Sequence, residues 1–133
     1  MVTTLAQFID FLIDFIIATL LIGLYLLIYT FATAHNEFTL IRRNVISAAL
    51  SLGLSLVGFA VPLSSAIVNS NTLVDLVFWG IIAIVVQILA YGFARIVIPD
   101  LTRRIADGEI GAATFLGAVS LAAGIANSAC MTI

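Results

Sequence analysis

The chain has 133 residues, of which 63% are apolar and only 9% charged, with a formal net charge of −2. An ordinary soluble domain is about 45–50% apolar and about 25% charged, so there is too little polar surface here to cover a water-soluble globule; the mean hydropathy of +1.28 agrees. A soluble enzyme, a nucleic-acid binder and a disordered tail are excluded, and the composition is that of an integral membrane protein.

Seven acids and five bases fall in clusters. Between them lie runs without Asp, Glu, Lys or Arg: 15–36, 44–74, 76–94 and 110–133, which are 22, 31, 19 and 24 residues long. A helix rises about 1.5 Å per residue and the hydrocarbon core is about 30 Å thick, so about 20 apolar residues cross it. Each run holds one span and none holds two. Backbone amides in lipid need partners within the segment, which favours helices, and the alternation of a barrel strand is absent. The expected class is therefore all-α: a polytopic membrane protein with four transmembrane helices near 11–34, 45–67, 74–97 and 110–131.

The first span lacks a basic leader, starts with Asp10 and Asp14, and is too long for a signal-peptide core, so it is expected to be retained. The second is rich in small residues, with Ser47, Ser51 and Ser55 at four-residue spacing, then Gly53 and Gly58. Pro62 inside it predicts a kink near Gly58–Pro62. The third is bulky, like the first. The fourth carries Ala118, Ala122 and Ala126 on one face and Ser120, Gly124 and Ser128 on another. Small residues let helix backbones approach closely in lipid, so spans two and four are expected to form the tight centre.

All five bases are arginines. Arg42, Arg43, Arg95, Arg103 and Arg104 fall in or beside the connections between spans one and two and spans three and four. The positive-inside rule makes both connections cytoplasmic and puts both termini outside, with Asp10, Asp14 and Asp75 on the outer side.

The chain also reads as one duplicated unit, with repeat one about 8–68 and repeat two about 70–133. Tyr29-Thr30-Phe31-Ala32 recurs as Tyr91-Gly92-Phe93-Ala94, and Leu40-Ile41-Arg42-Arg43 as Leu101-Thr102-Arg103-Arg104. Ala48-Ala49 and Leu52-Gly53 recur as Ala112-Ala113 and Leu116-Gly117. The expected architecture is two tandem parallel two-helix hairpins.

Four sets of side chains are candidates for function, each with a plainer account beside it. Gln87, Tyr91 and Arg95 form a stripe on span three, matched by Tyr25, Tyr29 and Thr33 on span one. They either line a polar pathway or divide into interfacial tyrosines, a snorkelling arginine and a Gln bonded to another helix. Asp10, Asp14 and Asp75 make either an outer acidic site for cations or polyamines, or ordinary acids at helix starts. Ser64, Ser65, Asn69, Asn127 and Ser128, with Cys130 and the carboxylate of Ile133 nearby, make an outer vestibule or a set of interhelical hydrogen bonds. Arg42, Arg43, Arg103 and Arg104 are candidates for cytoplasmic docking. His35 reads as a cap or loop residue, and Cys130 has no second cysteine to pair with. No metal cluster, phosphate loop or nucleophile set is present, so neither an enzyme nor a cofactor is expected.

Three motifs carry a resemblance: His35-Asn36-Glu37 before the first arginines, Val61-Pro62-Leu63-Ser64-Ser65-Ala66 in span two, and Ala126-Asn127-Ser128-Ala129-Cys130-Met131 at the end. With them the chain resembles the YjfL-like family of bacterial inner-membrane proteins, a domain of unknown function, over nearly its whole length. The resemblance implies a four-span inner-membrane protein without an established activity. It also implies an association with genes for phage-shock-like membrane-stress proteins and for ligases resembling glutathionylspermidine synthase. It assigns no catalytic residues. Two functions are therefore expected: a homo-oligomeric, non-enzymatic scaffold or interaction protein linked to envelope stress, docking partners or lipid through its arginine loops; or a small oligomeric channel or transporter for a cation or small solute.

Overall fold

A computed structural model describes Val2–Thr33 and residues 37–131, with side chains over 3–31 and 39–131. Among the described residues the elements are all helical: α1 (Val2–Thr33), α2 (Glu37–Arg42), α3 (Ile46–Asn69), α4 (Leu73–Val97), α5 (Leu101–Ala106) and α6 (Ile110–Cys130). Four of them, α1, α3, α4 and α6, are long and apolar enough to cross a membrane.

Helices α3, α4 and α6 start and stop within two residues of the spans expected from charge-free runs. Helix α1 is a correction, since it starts at Val2 rather than near 11. Asp10 and Asp14 suggest a membrane boundary, but a carboxylate on one face of a helix interrupts neither its backbone bonds nor the apolar character of its other faces. Helix α3 runs unbroken through Pro62, which is buried.

Both short helices end in the same way. After α2, Asn44 takes a left-handed conformation (φ 64°), its amide donating to the carbonyl of Ile41 at 2.9 Å, and Val45 N donates to Leu40 O at 3.0 Å. After α5, Gly108 (φ 90°) donates to Ile105 O at 3.0 Å, and Glu109 N to Arg104 O at 3.0 Å. This paired closure satisfies carbonyls left over at a helix end and calls for a residue that tolerates positive φ, which Gly and Asn do best. It also corrects the register of the sequence match. Arg42 closes α2, whereas Arg103 and Arg104 lie inside α5, so the two arginine pairs occupy different places in their turns.

The centre is the α3–α6 pair. A Cβ added to Gly124 would collide with the backbone carbonyl of Gly58, and one added to Gly58 would lie 2.7 Å from the carbonyl carbon of Ser120. Ser55 Oγ donates to Ser120 Oγ across the same crossing at 3.3 Å. In lipid, where close packing rather than the hydrophobic effect draws helices together, such an approach gathers the most dispersion contact. Helix α4 lies against both members of the pair, while α1 packs on α3 and α4 at the periphery.

Candidate functional site

The expected polar stripe splits in the structure. Gln87 is 1% exposed, and its Nε2 donates to two backbone carbonyls on different helices, Gly58 O at 3.1 Å and Ser120 O at 3.0 Å. Both protons of the amide are thereby used, and Oε1 is buried without a hydrogen-bond partner. Tyr91 is buried, and its hydroxyl shares a 2.5 Å hydrogen bond with Thr102 on α5. Arg95, one turn further, is exposed. From span one, Tyr25 stacks on Phe59 with ring centroids 4.6 Å apart, and its hydroxyl reaches Ser55 O at 3.5 Å. Tyr29 meets Tyr91 edge to face at 6.1 Å. Gln87, Tyr25, Tyr29 and Tyr91 thus come together as packed core. Thr33 and His35 lie outside the described side chains, as does Ile133.

At the arginine end, the two turns are held side by side. Ser47, at the start of α3, is 1% exposed, and its Oγ donates to the carbonyl of Ile105 in α5 at 2.6 Å. A cavity of about 330 Å³ lies between the turns, lined by Asn44–Ser47 and by Ala106, Asp107, Gly108 and Ile110. The four arginines differ in their partners. Arg104 Nε pairs with Glu109 at 2.9 Å, and Arg103 pairs more loosely with Asp100 at 3.4 Å. Arg42 and Arg43 are exposed and, among the described residues, have no ion-pair partner.

At the opposite end, Asp10 and Asp14 line a cavity of about 310 Å³ together with Ile13, Ile67 and the Ser70–Leu73 connection. Asp75 is not part of it; it sits in the first turn of α4, where its amide donates to the capping hydroxyl of Thr72 at 3.1 Å. The macrodipole favours a carboxylate there. The expected vestibule residues lie on α3 and α6. Ser64 is exposed, Asn69 donates back within α3 to Ser65 O at 2.9 Å, and Asn127 and Ser128 are partly exposed on α6. None of the five lines the cavities at the two ends.

Two contacts escaped sequence reasoning. Thr102 closes the tyrosine series, and Ser47 joins the turns. Ser47 begins the Ser47, Ser51, Ser55 series, so its place on the buried face of α3 was visible, but the carbonyl it meets was not.

The family model described as Domain of Unknown Function (DUF350) matches residues 3–131. The chain belongs to this family. It is 39% identical over 118 residues to UPF0719 inner membrane protein YjfL of Escherichia coli (strain K12), covering 89% of each chain, and equally similar to the protein of the same name in Escherichia coli O157:H7. No solved structure matches it. With four helices long and apolar enough to cross the bilayer, this member of the DUF350 family is a multi-pass inner-membrane protein.

Proposed function

We propose that this DUF350 protein is a non-enzymatic, homo-oligomeric interaction protein of the inner membrane, linked to envelope stress, that docks on anionic lipid headgroups through its arginine-bearing end. The observation that carries the reading is the Ser47–Ile105 hydrogen bond, which fixes the two turns as one surface. Within that surface Arg42 and Arg43, which have no ion-pair partner among the described residues, carry most of the attraction, because Arg103 and Arg104 are partly neutralised by Asp100 and Glu109. Each basic residue at an anionic leaflet contributes on the order of 1 kcal/mol. On this reading the arginine end is cytoplasmic and both termini are outside. The matched turn closures support descent from a duplicated hairpin: Asn44 to Ile41 and Val45 to Leu40 correspond to Gly108 to Ile105 and Glu109 to Arg104. A route for a cation or small solute through a single chain gains no support from a core filled by Gln87, Tyr25, Tyr29 and Tyr91.

The test is thermal unfolding of purified protein with added phosphatidylglycerol or phosphatidylcholine. The reading expects phosphatidylglycerol alone to raise the midpoint, and R42A/R43A to remove more of that rise than R103A/R104A. Equal effects of the two lipids would overturn it, and an unchanged rise in R42A/R43A would remove these two arginines from the site.

A further inference from the structure

Helix α1 carries two faces that call for opposite surroundings. Ala18, Leu21, Tyr25 and Tyr29 point into the bundle and are buried. Followed toward the N-terminus at the same spacing of three and four residues, that face continues as Asp14, Asp10, Gln7 and Thr3. The opposite face carries no charged residue: Phe31, Leu27, Leu20, Ile16, Leu12 and Leu5 are all exposed, from 79% at Phe31 to 40% at Leu12, and Thr19 among them turns its hydroxyl back onto Phe15 O. Beside it, Phe8, Phe11 and Phe15 stack in a ridge with centroids 6.3 and 5.8 Å apart.

The lower part of this face belongs to a helix long and apolar enough to cross a membrane, where lipid is the cover such a face calls for. Because the face continues to Leu5 without a charged residue, the same cover extends along it. From Leu5 to Phe31 the helix rises about 39 Å. An ordinary tilt of about 20° shortens this to about 37 Å, which fits a bilayer of about 40–45 Å counted with its interfacial layers.

The polar face cannot share that cover. Asp10 and Asp14 line the 310 Å³ cavity with Ser70, Asn71 and Thr72, and Ser70 Oγ is buried without a protein partner. A carboxyl group without a hydrogen-bond partner is costly to hold in apolar surroundings, and a cavity of this size has room for water beside Asp10 and Asp14. We infer that α1 is a partition, with lipid rising along one side to Leu5 and a water-filled recess on the other, floored by Ser70–Thr72 and walled by Asp10 and Asp14. Asp14 lies nine residues below Leu5, so the floor sits on the order of 10 Å beneath the lipid line. This inference is independent of the arginine reading at the other end.

Spin-label accessibility in liposomes tests it, with single cysteines placed in a C130S background. The informative pairs are Q7C with F8C and D14C with F15C, since each pair shares one depth and differs only in face. The recess expects labels at Gln7 and Asp14 to collide several-fold more often with a water-soluble nickel chelate than labels at Phe8 and Phe15, which collide with oxygen instead. S70C should behave as Gln7 does. If both members of each pair meet nickel, the tip stands in water. If both meet oxygen, it is lipid-covered all round, and if neither meets either, it is packed against protein. Each of these three results overturns the inference.

Discussion

Gly124 sits against the backbone of Gly58 with no room for one added carbon between α3 and α6. The contact joins helices from the two halves of the chain, and Gln87 spans it from α4 by donating to Gly58 O and Ser120 O. Centre and clasp are therefore one construction, and its parts are separable by substitution.

Gly124→Ala forces the two backbones apart and is expected to destabilise the protein by about 1–3 kcal/mol, as overpacking does elsewhere. Gly53→Ala is the control, because nothing lies within 4 Å of the added carbon. There the better helix propensity of alanine leaves stability unchanged or raised by up to about 1 kcal/mol. Equilibrium unfolding in mixed micelles measures both, and equal losses would mean that the α3–α6 crossing is looser than described.

Gln87→Leu removes two hydrogen bonds, each worth about 0.6 kcal/mol between membrane helices. It also removes the unpartnered Oε1. The carbonyl of Ser120 keeps its helical partner, but that of Gly58 has no i+4 amide to accept from, because residue 62 is proline, so the substitution leaves it unsatisfied. The expected loss is about 1–3 kcal/mol, most of it from the Gly58 carbonyl left without a donor. Gln87→Glu places a carboxyl against two carbonyl oxygens in a sealed core and should cost several times more. The same unfolding assay ranks the three, and a Leu variant worse than the Glu variant would contradict the clasp geometry.

The left-handed turns respond in opposite directions. Gly108→Ala puts a Cβ on a residue with φ 90° and is expected to cost about 1–2 kcal/mol. Asn44→Gly relieves the milder strain at φ 64° and gains a few tenths of a kcal/mol. A loss at Asn44→Gly would show that its side chain, rather than its backbone, closes α2.

Ser47→Ala unlinks the two arginine turns at a cost of about 0.6–1.5 kcal/mol. Its sharper signature is geometric: the distance distribution between spin labels at R43C and D107C, in a C130S background, should broaden. A distribution as narrow as in the parent would mean that the turns are held by something other than the Ser47–Ile105 bond.

The sequence disclosed most of this architecture because lipid makes composition directional. Charge-free runs marked α3, α4 and α6 within two residues, and the glycines and serines of spans two and four identified the pair that packs closest. The start of α1 was not legible, because Asp10 and Asp14 end the charge-free run while the helix itself continues past them to Val2. Among the candidate residues, the tyrosines and Gln87 were recognisable as neighbours by spacing alone, but whether they enclose a passage or fill a core depends on a few ångströms that spacing does not contain. The arginines show the same limit. Two equal-looking pairs differ because Asp100 and Glu109 answer only one of them.

The crossing at the centre also bears on how the protein is made. Ser55 and Ser120 meet although 65 residues separate them. When the first hairpin enters the bilayer, the glycine-bearing face of α3 has no mate, and it cannot acquire one until α6 has left the ribosome and inserted. Until then that small-residue groove is open to lipid, to the translocation machinery, or to the matching groove of another nascent chain.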